Sequence, residues 1–255
     1  GAGQLGLGDT EDYALPQRYD DSSNAINDQI VAESVISGGC HSAGKTAGAE
    51  TLFVWGDNEK GQLGVDPSSS GKCEATRPAQ NSIAVPGLSR TTRVRHVACG
   101  WSHTVAVYRD RGAKSEELQQ EDIVVSWGAH EHHQLGRAVE ARKQPFTPTP
   151  VEFSIARGKL RVHSIACGWK HSLLATETGE VYVWGSGRNG ELGLGDAVLT
   201  AQRPTLVDAF RNEDTEKGAV TINRVLCGWQ HSVFHASNGE VFTSIVTGNS
   251  VECQQ

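Results

Sequence analysis

The stretch Cys167-Gly168-Trp169-Lys170-His171-Ser172, CGWKHS, sets a thiol, an indole, an imidazole and a hydroxyl within six positions. Taken alone it reads as a reactive site. A Cys and a His four apart can share a metal, and a thiol beside an imidazole can act as nucleophile and base. The rest of the chain changes that reading, because the stretch recurs. CGWSHT occupies Cys99–Thr104, CGWQHS occupies Cys227–Ser232, and a weaker copy, SGGCHS, occupies Ser37–Ser42. The histidines of the four copies, His41, His103, His171 and His231, fall 62, 68 and 60 residues apart. Self-similarity at a fixed period points to a repeat architecture.

Two further motifs run in step with the first. LFVWG (Leu52–Gly56), VVSWG (Val124–Gly128) and VYVWG (Val181–Gly185) follow the first three copies. VFTSI (Val241–Ile245) follows the fourth, with Ser244 in place of Trp. Then comes GQLG at Gly3 and Gly61, HQLG at His133 and GELG at Gly190. Each leads through a polar loop to a proline: Pro16, Pro78, Pro148 or Pro150, and Pro204. The local chemistry is β. HSLLAT alternates, ends at a turn (ETGE) and is followed by VYVWG. In the last unit the connector is SNGE, a strong hairpin signal because Asn and Gly both tolerate positive φ. The His strand and the Trp-Gly strand are therefore predicted to pair antiparallel. The prolines mark short edge strands, where a missing N–H is harmless. Leu160–Ile165 and Ile222–Leu226 are too short and too β-branched to be helices.

A unit of three or four short strands cannot bury both faces alone, so tandem units of about 60 residues predict β-propeller blades. The sequence divides into units at about 1–51, 52–122, 123–180 and 181–240, with 241–255 a partial strand. A kelch-type propeller would show a Gly-Gly doublet in each unit, and only Gly38–Gly39 occurs. The whole is expected to be one all-β propeller domain of four-stranded antiparallel blades.

VYVWGSGRNGELGLGD, the proline some ten residues on, and VLCGWQHSVFHASNGEVF resemble the repeat of the regulator of chromosome condensation family. The resemblance runs through nearly the whole chain. It implies seven-bladed propellers, and four units then form part of a ring, an arc of four blades. The alternative is a closed four-unit ring, in which residues 1–20 would complete the last blade. The first half, with GQLGLGDTEDYALPQR, GGCHSA and VACGWSHT, resembles the secretion-regulating exchange-factor-like and fungal α-tubulin suppressor subgroup. That resemblance implies a protein partner, a small GTPase or a small adaptor.

Bulk properties narrow the field. A net charge of −7 disfavours a general nucleic-acid binder. No apolar run approaches the roughly 18 residues that a membrane-crossing helix needs. Six cysteines without a short CxxC pair read as free thiols in a reducing compartment, hence cytoplasm or nucleus. The chain contains no Met and begins with Gly1, which reads as a processed chain or a fragment. No phosphate loop, dinucleotide fingerprint or nucleophile elbow is present, so neither catalysis nor a cofactor is expected.

Repetition also decides between chemistry and architecture. Zinc needs about four ligands at one point, whereas each copy offers two and the copies belong to different blades. Three near-identical Cys-x3-His pairs are better explained by duplication of a fold element than by three active sites. Cys99, Cys167 and Cys227 are expected as small buried residues, and each His as a partner of backbone within its own blade. The cluster HEHH (His130–His133) lies in the loop between the Trp-Gly and GxLG motifs and reads as a solvated loop, with metal binding by His130, Glu131 and His133 the alternative.

The indoles divide into two sets. Trp55, Trp127 and Trp184 lie within strands and are expected in the core. Trp101, Trp169 and Trp229 follow a Gly at a strand end and are expected on one rim, where aromatic residues make a partner-binding face. Lys170 joins them. A plant UV-B receptor of the resembled family has a similar Gly-Trp-Arg-His-Thr motif, its indoles absorbing light and its arginines helping to hold a dimer. Here Ser102, Lys170 and Gln230 stand at those arginine positions. Two polar insertions, 109–122 and 211–218, interrupt the repeat. The first, with Arg109 and Arg111, is a candidate partner arm.

Overall fold

A computed structural model describes residues 3–17, 32–46, 48, 51–68, 74–75, 83, 85–88, 91–110, 121–139, 145–155, 158–210 and 220–245. Their strands form four antiparallel sheets. The first holds β1 (Ala32–Ser37), β2 (His41–Thr46), β3 (Leu52–Asp57) and β4 (Glu74–Ala75). The second holds β5 (Thr92–Cys99), β6 (His103–Asp110), β7 (Ile123–Gly128) and β8 (Thr149–Pro150). The third holds β9 (Val162–Cys167), β10 (His171–Thr176), β11 (Val181–Ser186) and β12 (Thr200–Leu206). The fourth has three strands among the described residues: β13 (Ile222–Cys227), β14 (Ser232–Ala236) and β15 (Val241–Ser244). Strand order follows chain order in every sheet. A short 3-10 turn spans Asp208–Phe210.

The first strands of successive sheets adjoin one another, β1 beside β5, β5 beside β9 and β9 beside β13. The sheets therefore fan out as propeller blades, with the later strands outward. Each blade begins with two hairpins. The turn carrying the Cys-Gly-x-x-His motif joins the first and second strands, in register Cys99↔Thr104, Cys167↔Ser172 and Cys227↔Ser232. The predicted hairpins of the His strand with the Trp-Gly strand are β10–β11 and β14–β15, closed at Gly179 and Gly239 with φ of 86° and 92°. Pro150 and Pro204 lie in the outer strands β8 and β12. Each sheet straddles a sequence unit: β1 and β2 come from unit 1–51, and β3 and β4 from the next.

The core lies between adjacent blades. One cluster joins Val105, Val107 and Val124 of the second blade to Leu173, Leu174, Tyr182 and Trp184 of the third and Val225 and Phe234 of the fourth. A second cluster joins Val54 and Leu63 to Val97, Ala106, Tyr108 and Trp127. The buried patterns of β10 and β11 are continuous because both faces of a middle blade meet a neighbour. Fully burying one such Val or Leu contributes about 1.5–3 kcal/mol.

The sister turns of GxLG show one misfit. Gly3, Gly61 and Gly190 open the motif at φ of 74°, 77° and 74°, and His133 holds the same left-handed conformation at 61°. A side chain there is strained, typically by about 1 kcal/mol or more. His133→Gly is therefore expected to stabilise the fold by ~1 kcal/mol in urea denaturation. Gly61→Ala is expected to destabilise it by more than that, because a Cβ at Gly61 would overlap Phe146 as well.

Candidate functional site

The side chains of His41, His103 and His171 do not take the backbone partners expected of them within their own blades; they reach the next blade. His41 Nε2 lies 2.8 Å from Thr104 Oγ1, His103 Nε2 2.9 Å from Ser172 Oγ, and His171 Nε2 3.1 Å from Ser232 Oγ. Each hydroxyl then donates to the backbone carbonyl inside a GxLG loop. Thr104 bonds Gln62 O at 2.9 Å, Ser172 bonds Gln134 O at 3.0 Å and Ser232 bonds Glu191 O at 2.5 Å. The Trp of the second motif donates to the same carbonyl: Trp127 Nε1 to Gln62 O at 2.8 Å and Trp184 Nε1 to Gln134 O at 2.9 Å. In the first blade Ser42 and Trp55 meet Gln4 O, each at 3.0 Å. In the fourth, Ser244 replaces the indole and donates to Gly190 O. Sequence reasoning missed this link because its partners lie about 60 residues apart; the Ser or Thr after each His was the available signal.

Hydrogen bookkeeping settles the tautomer. A hydroxyl has one proton, and here it goes to the carbonyl. The hydroxyl oxygen must then accept from His Nε2–H, so the imidazoles are neutral with Nδ1 unprotonated. Nδ1 of His41, His103 and His171 has no donor facing it, consistent with a bare lone pair. Complete burial pushes the pKa of His41 and His171 from 6.5 down to about 4 and that of His103 to about 3. His231, on the last blade, is exposed.

The same turn displays the second set of tryptophans. At Gly100, Gly168 and Gly228 an added Cβ would overlap the imidazole of the motif's own His. The Gly thus seats the His ring inward, and the next residue is turned out. Trp101 and Trp229 are 42% and 59% exposed, and Trp169 is half-buried. Trp127 and Trp184, by contrast, are fully buried and Trp55 nearly so. Trp101 stacks on Trp229 at 5.4 Å between ring centroids, and Trp169 meets Trp229 edge-on at 5.3 Å. Lys170 Nζ lies 3.7 Å from the centre of the Trp169 ring. In the first blade Gly39 stands at the Trp position, and the Trp101 ring lies where its side chain would be. The indoles line a recess of about 270 Å3 with the Gly residues of all four turns, the Cys of three and Ser37 of the first. Beside it, Asp57, Glu59, Lys60, Glu131, His132 and Lys170 edge a second hollow of about 400 Å3.

The remaining expected site residues fall elsewhere. Arg109 ends β6, about 20 Å along the strand from the indole turn. It forms a two-pronged pair with buried Asp122 at 2.6 and 2.8 Å and reaches Glu177 of the third blade at 3.3 Å. Its job in the fold is to tie two blades. Arg111 and most of both insertions lie outside the described residues. Burial pushes the Cys99 and Cys227 thiols well up and that of Cys167 up to about 12, so none is a ready thiolate. In HEHH, the His130 amide donates to Glu131 and the His132 amide to Gln134. The described residues bring no three His, Cys, Asp or Glu side chains to one metal point.

Four sheets interlocked by one His–hydroxyl–carbonyl link per junction, with an indole on the same carbonyl at the first two, define a repeat-built propeller. The "Regulator of chromosome condensation (RCC1) repeat" matches residues 50–107, 122–175 and 178–235, and a second form of it matches 162–191. The chain belongs to that family. It is 30% identical over 243 residues to the Ultraviolet-B receptor UVR8 of Arabidopsis thaliana, covering 94% of this chain and 46% of the receptor. It is 33% identical over 246 residues to the Secretion-regulating guanine nucleotide exchange factor of Mus musculus, covering 94% and 45%. Among solved structures, that of Kap60 bound to yeast RCC1 (Prp20) matches with a TM-score of 0.60 and 22% identity over 86% of this chain and 43% of that one. The chain thus spans a little under half the length of the curated relatives it matches.

The buried histidines make stability pH-dependent. Their folded-state pKa lies below the unfolded value of 6.5, so the unfolded chain binds more protons as pH falls. Stability is expected to be full above about pH 6.5 and to be lost progressively toward pH 4, read as a falling urea midpoint. His103→Ala should flatten part of that loss while lowering stability by about 2–4 kcal/mol at pH 7.5. A midpoint that stays level between pH 7 and pH 5 would contradict the neutral network.

Proposed function

We propose that this propeller is a non-catalytic protein-binding scaffold whose indole rim holds a partner. The observation that carries the reading is the cluster of Trp101, Trp169 and Trp229 over an open recess. Large rigid aromatics with an adjacent cation are the residue types that dominate binding energy at protein interfaces. The solved propeller of yeast RCC1 in complex with Kap60 supports a protein as the kind of ligand. Free thiols at Cys40, Cys99, Cys167 and Cys227 suit a reducing compartment, the cytoplasm or nucleus.

The test compares partners captured by the wild type and by the double variant Trp101→Ala/Trp229→Ala, quantified by mass spectrometry after crosslinking. A partner depleted at least ~10-fold by the double variant, and retained by Leu199→Ala on an exposed site elsewhere, is the expected result. An unchanged partner set would sink the rim as the binding face.

A second reading makes the partner a small GTPase and the protein its exchange factor. The similarity to the mouse exchange factor favours it. Exchange would then come from a wedge that distorts the nucleotide site, with no acid–base residue required. Faster release of labelled GDP from one member of a GTPase panel would support it, and no stimulation across the panel would end it. The stacked indoles and the similarity to the plant receptor favour a third reading, a UV-B sensor. It requires a change of oligomeric state under UV-B that Trp169→Phe abolishes.

A further inference from the structure

Two departures from the repeat meet at one place. The residue after GxLG is apolar in three units, Leu7, Val65 and Leu194, and is Arg137 in the remaining one. The position before the strand Trp holds Val54 and Val183 in two blades and Ser126 in the second. Ser126 is fully buried. Its Oγ donates to Leu135 O at 2.7 Å and accepts from Arg137 Nε at 3.2 Å. Arg137 Nη2 donates to Ser126 O at 3.1 Å and to Thr147 O at 3.4 Å. Neutral oxygens therefore hold the guanidinium by one edge. Among the described residues no carboxylate pairs with it, and its Nη1 donates to nothing.

Arg137 lines a cavity of about 220 Å3 between the outer strands of the second and third blades, with Thr149, Glu152 and Arg203. Arg203 meets Glu152 only loosely, at 3.8 Å, and both side chains are mostly exposed. Among the described lining residues two guanidinium groups thus stand against one carboxylate, one positive charge in excess. Burial lowers the Arg137 pKa to about 10, so the group stays charged at neutral pH while poorly solvated. A half-buried cation without a counter-ion is unfavourable, and an incoming anion would relieve it. A singly charged carboxylate matches the excess. A phosphate dianion would overshoot it and meet Glu152.

We propose that this cavity is a carboxylate-binding site that takes an acidic side chain or a chain terminus of a bound peptide. It is separate from the indole rim and stands whether or not that rim binds a partner. The carboxylate accepts from Arg137 Nη1 and from Arg203, giving charge-assisted hydrogen bonds.

The experiment titrates the full chain with C-terminally amidated hexaglutamate, with free-acid hexaalanine and with inorganic phosphate. The readout is the Arg137 side-chain N–H resonance, identified by its loss in Arg137→Lys. Saturable shifts with at least one peptide, at lower concentration than with phosphate, are expected. Hexaglutamate alone would indicate a side-chain acid, and hexaalanine alone a chain terminus. Arg137→Leu, which restores the residue type of the sister units, should weaken binding by ~10-fold or more. Arg203→Ala should weaken it several-fold and, being on an exposed side chain, keeps the comparison valid if Arg137→Leu fails to fold. No shift with either peptide at millimolar concentration, tighter binding of phosphate, or wild-type affinity in both variants would overturn the proposal.

Discussion

Each junction between blades depends on a hydrogen-bond chain. His Nε2–H gives to a hydroxyl, the hydroxyl gives to a loop carbonyl, and at the first two junctions an indole N–H gives to the same carbonyl. Two blades and the loop between them meet at that oxygen. The linked groups are buried, so each hydroxyl and carbonyl must find its partners inside. The arrangement fixes the spacing and rotation of one blade on the next without a helix or a disulfide. It also explains the residue types. A hydroxyl can receive and give at once, an imidazole can remain neutral in the core, and an indole can bury a large apolar body while its N–H reaches a carbonyl.

The turn that makes this link also makes the rim. Gly100, Gly168 and Gly228 have no room for a side chain because their own histidines fill it. The chain must then place its next side chain on the outside, and in three blades that residue is Trp. Indole rim and structural lock are therefore two sides of the same turn. A partner on the indoles would sit directly above the hydrogen bonds that hold the blades.

Places where the repeat breaks its own pattern carry the individuality of this chain. Ser244 stands for Trp and finds the neighbouring carbonyl of Gly190. Gly39 stands for Trp and leaves space that Trp101 occupies. His133 stands for Gly and holds a strained conformation. Arg137 and Ser126 stand for apolar residues and satisfy each other while leaving one guanidinium edge open. A fold-wide duplication explains what the units share, and these substitutions are where one unit differs from its sisters.

The sequence by itself determined the class of fold, the blade repeat, the hairpins at ETGE and SNGE, and the division of tryptophans into core and rim. Those features are local: alternation, turn chemistry and a period near 60 need only near neighbours along the chain to be read. It gave the recurring His a backbone partner within its own blade, because the two groups that bond belong to different units. It read Arg109 as part of a candidate partner arm, since the sequence does not show the buried Asp122 and the Glu177 that hold it. It could not join Arg137 to Ser126, eleven residues apart on a loop and a strand. Tertiary structure alone decided these points, because they rest on distances across blade junctions, where packing of one sheet against the next brings together groups that the chain keeps apart.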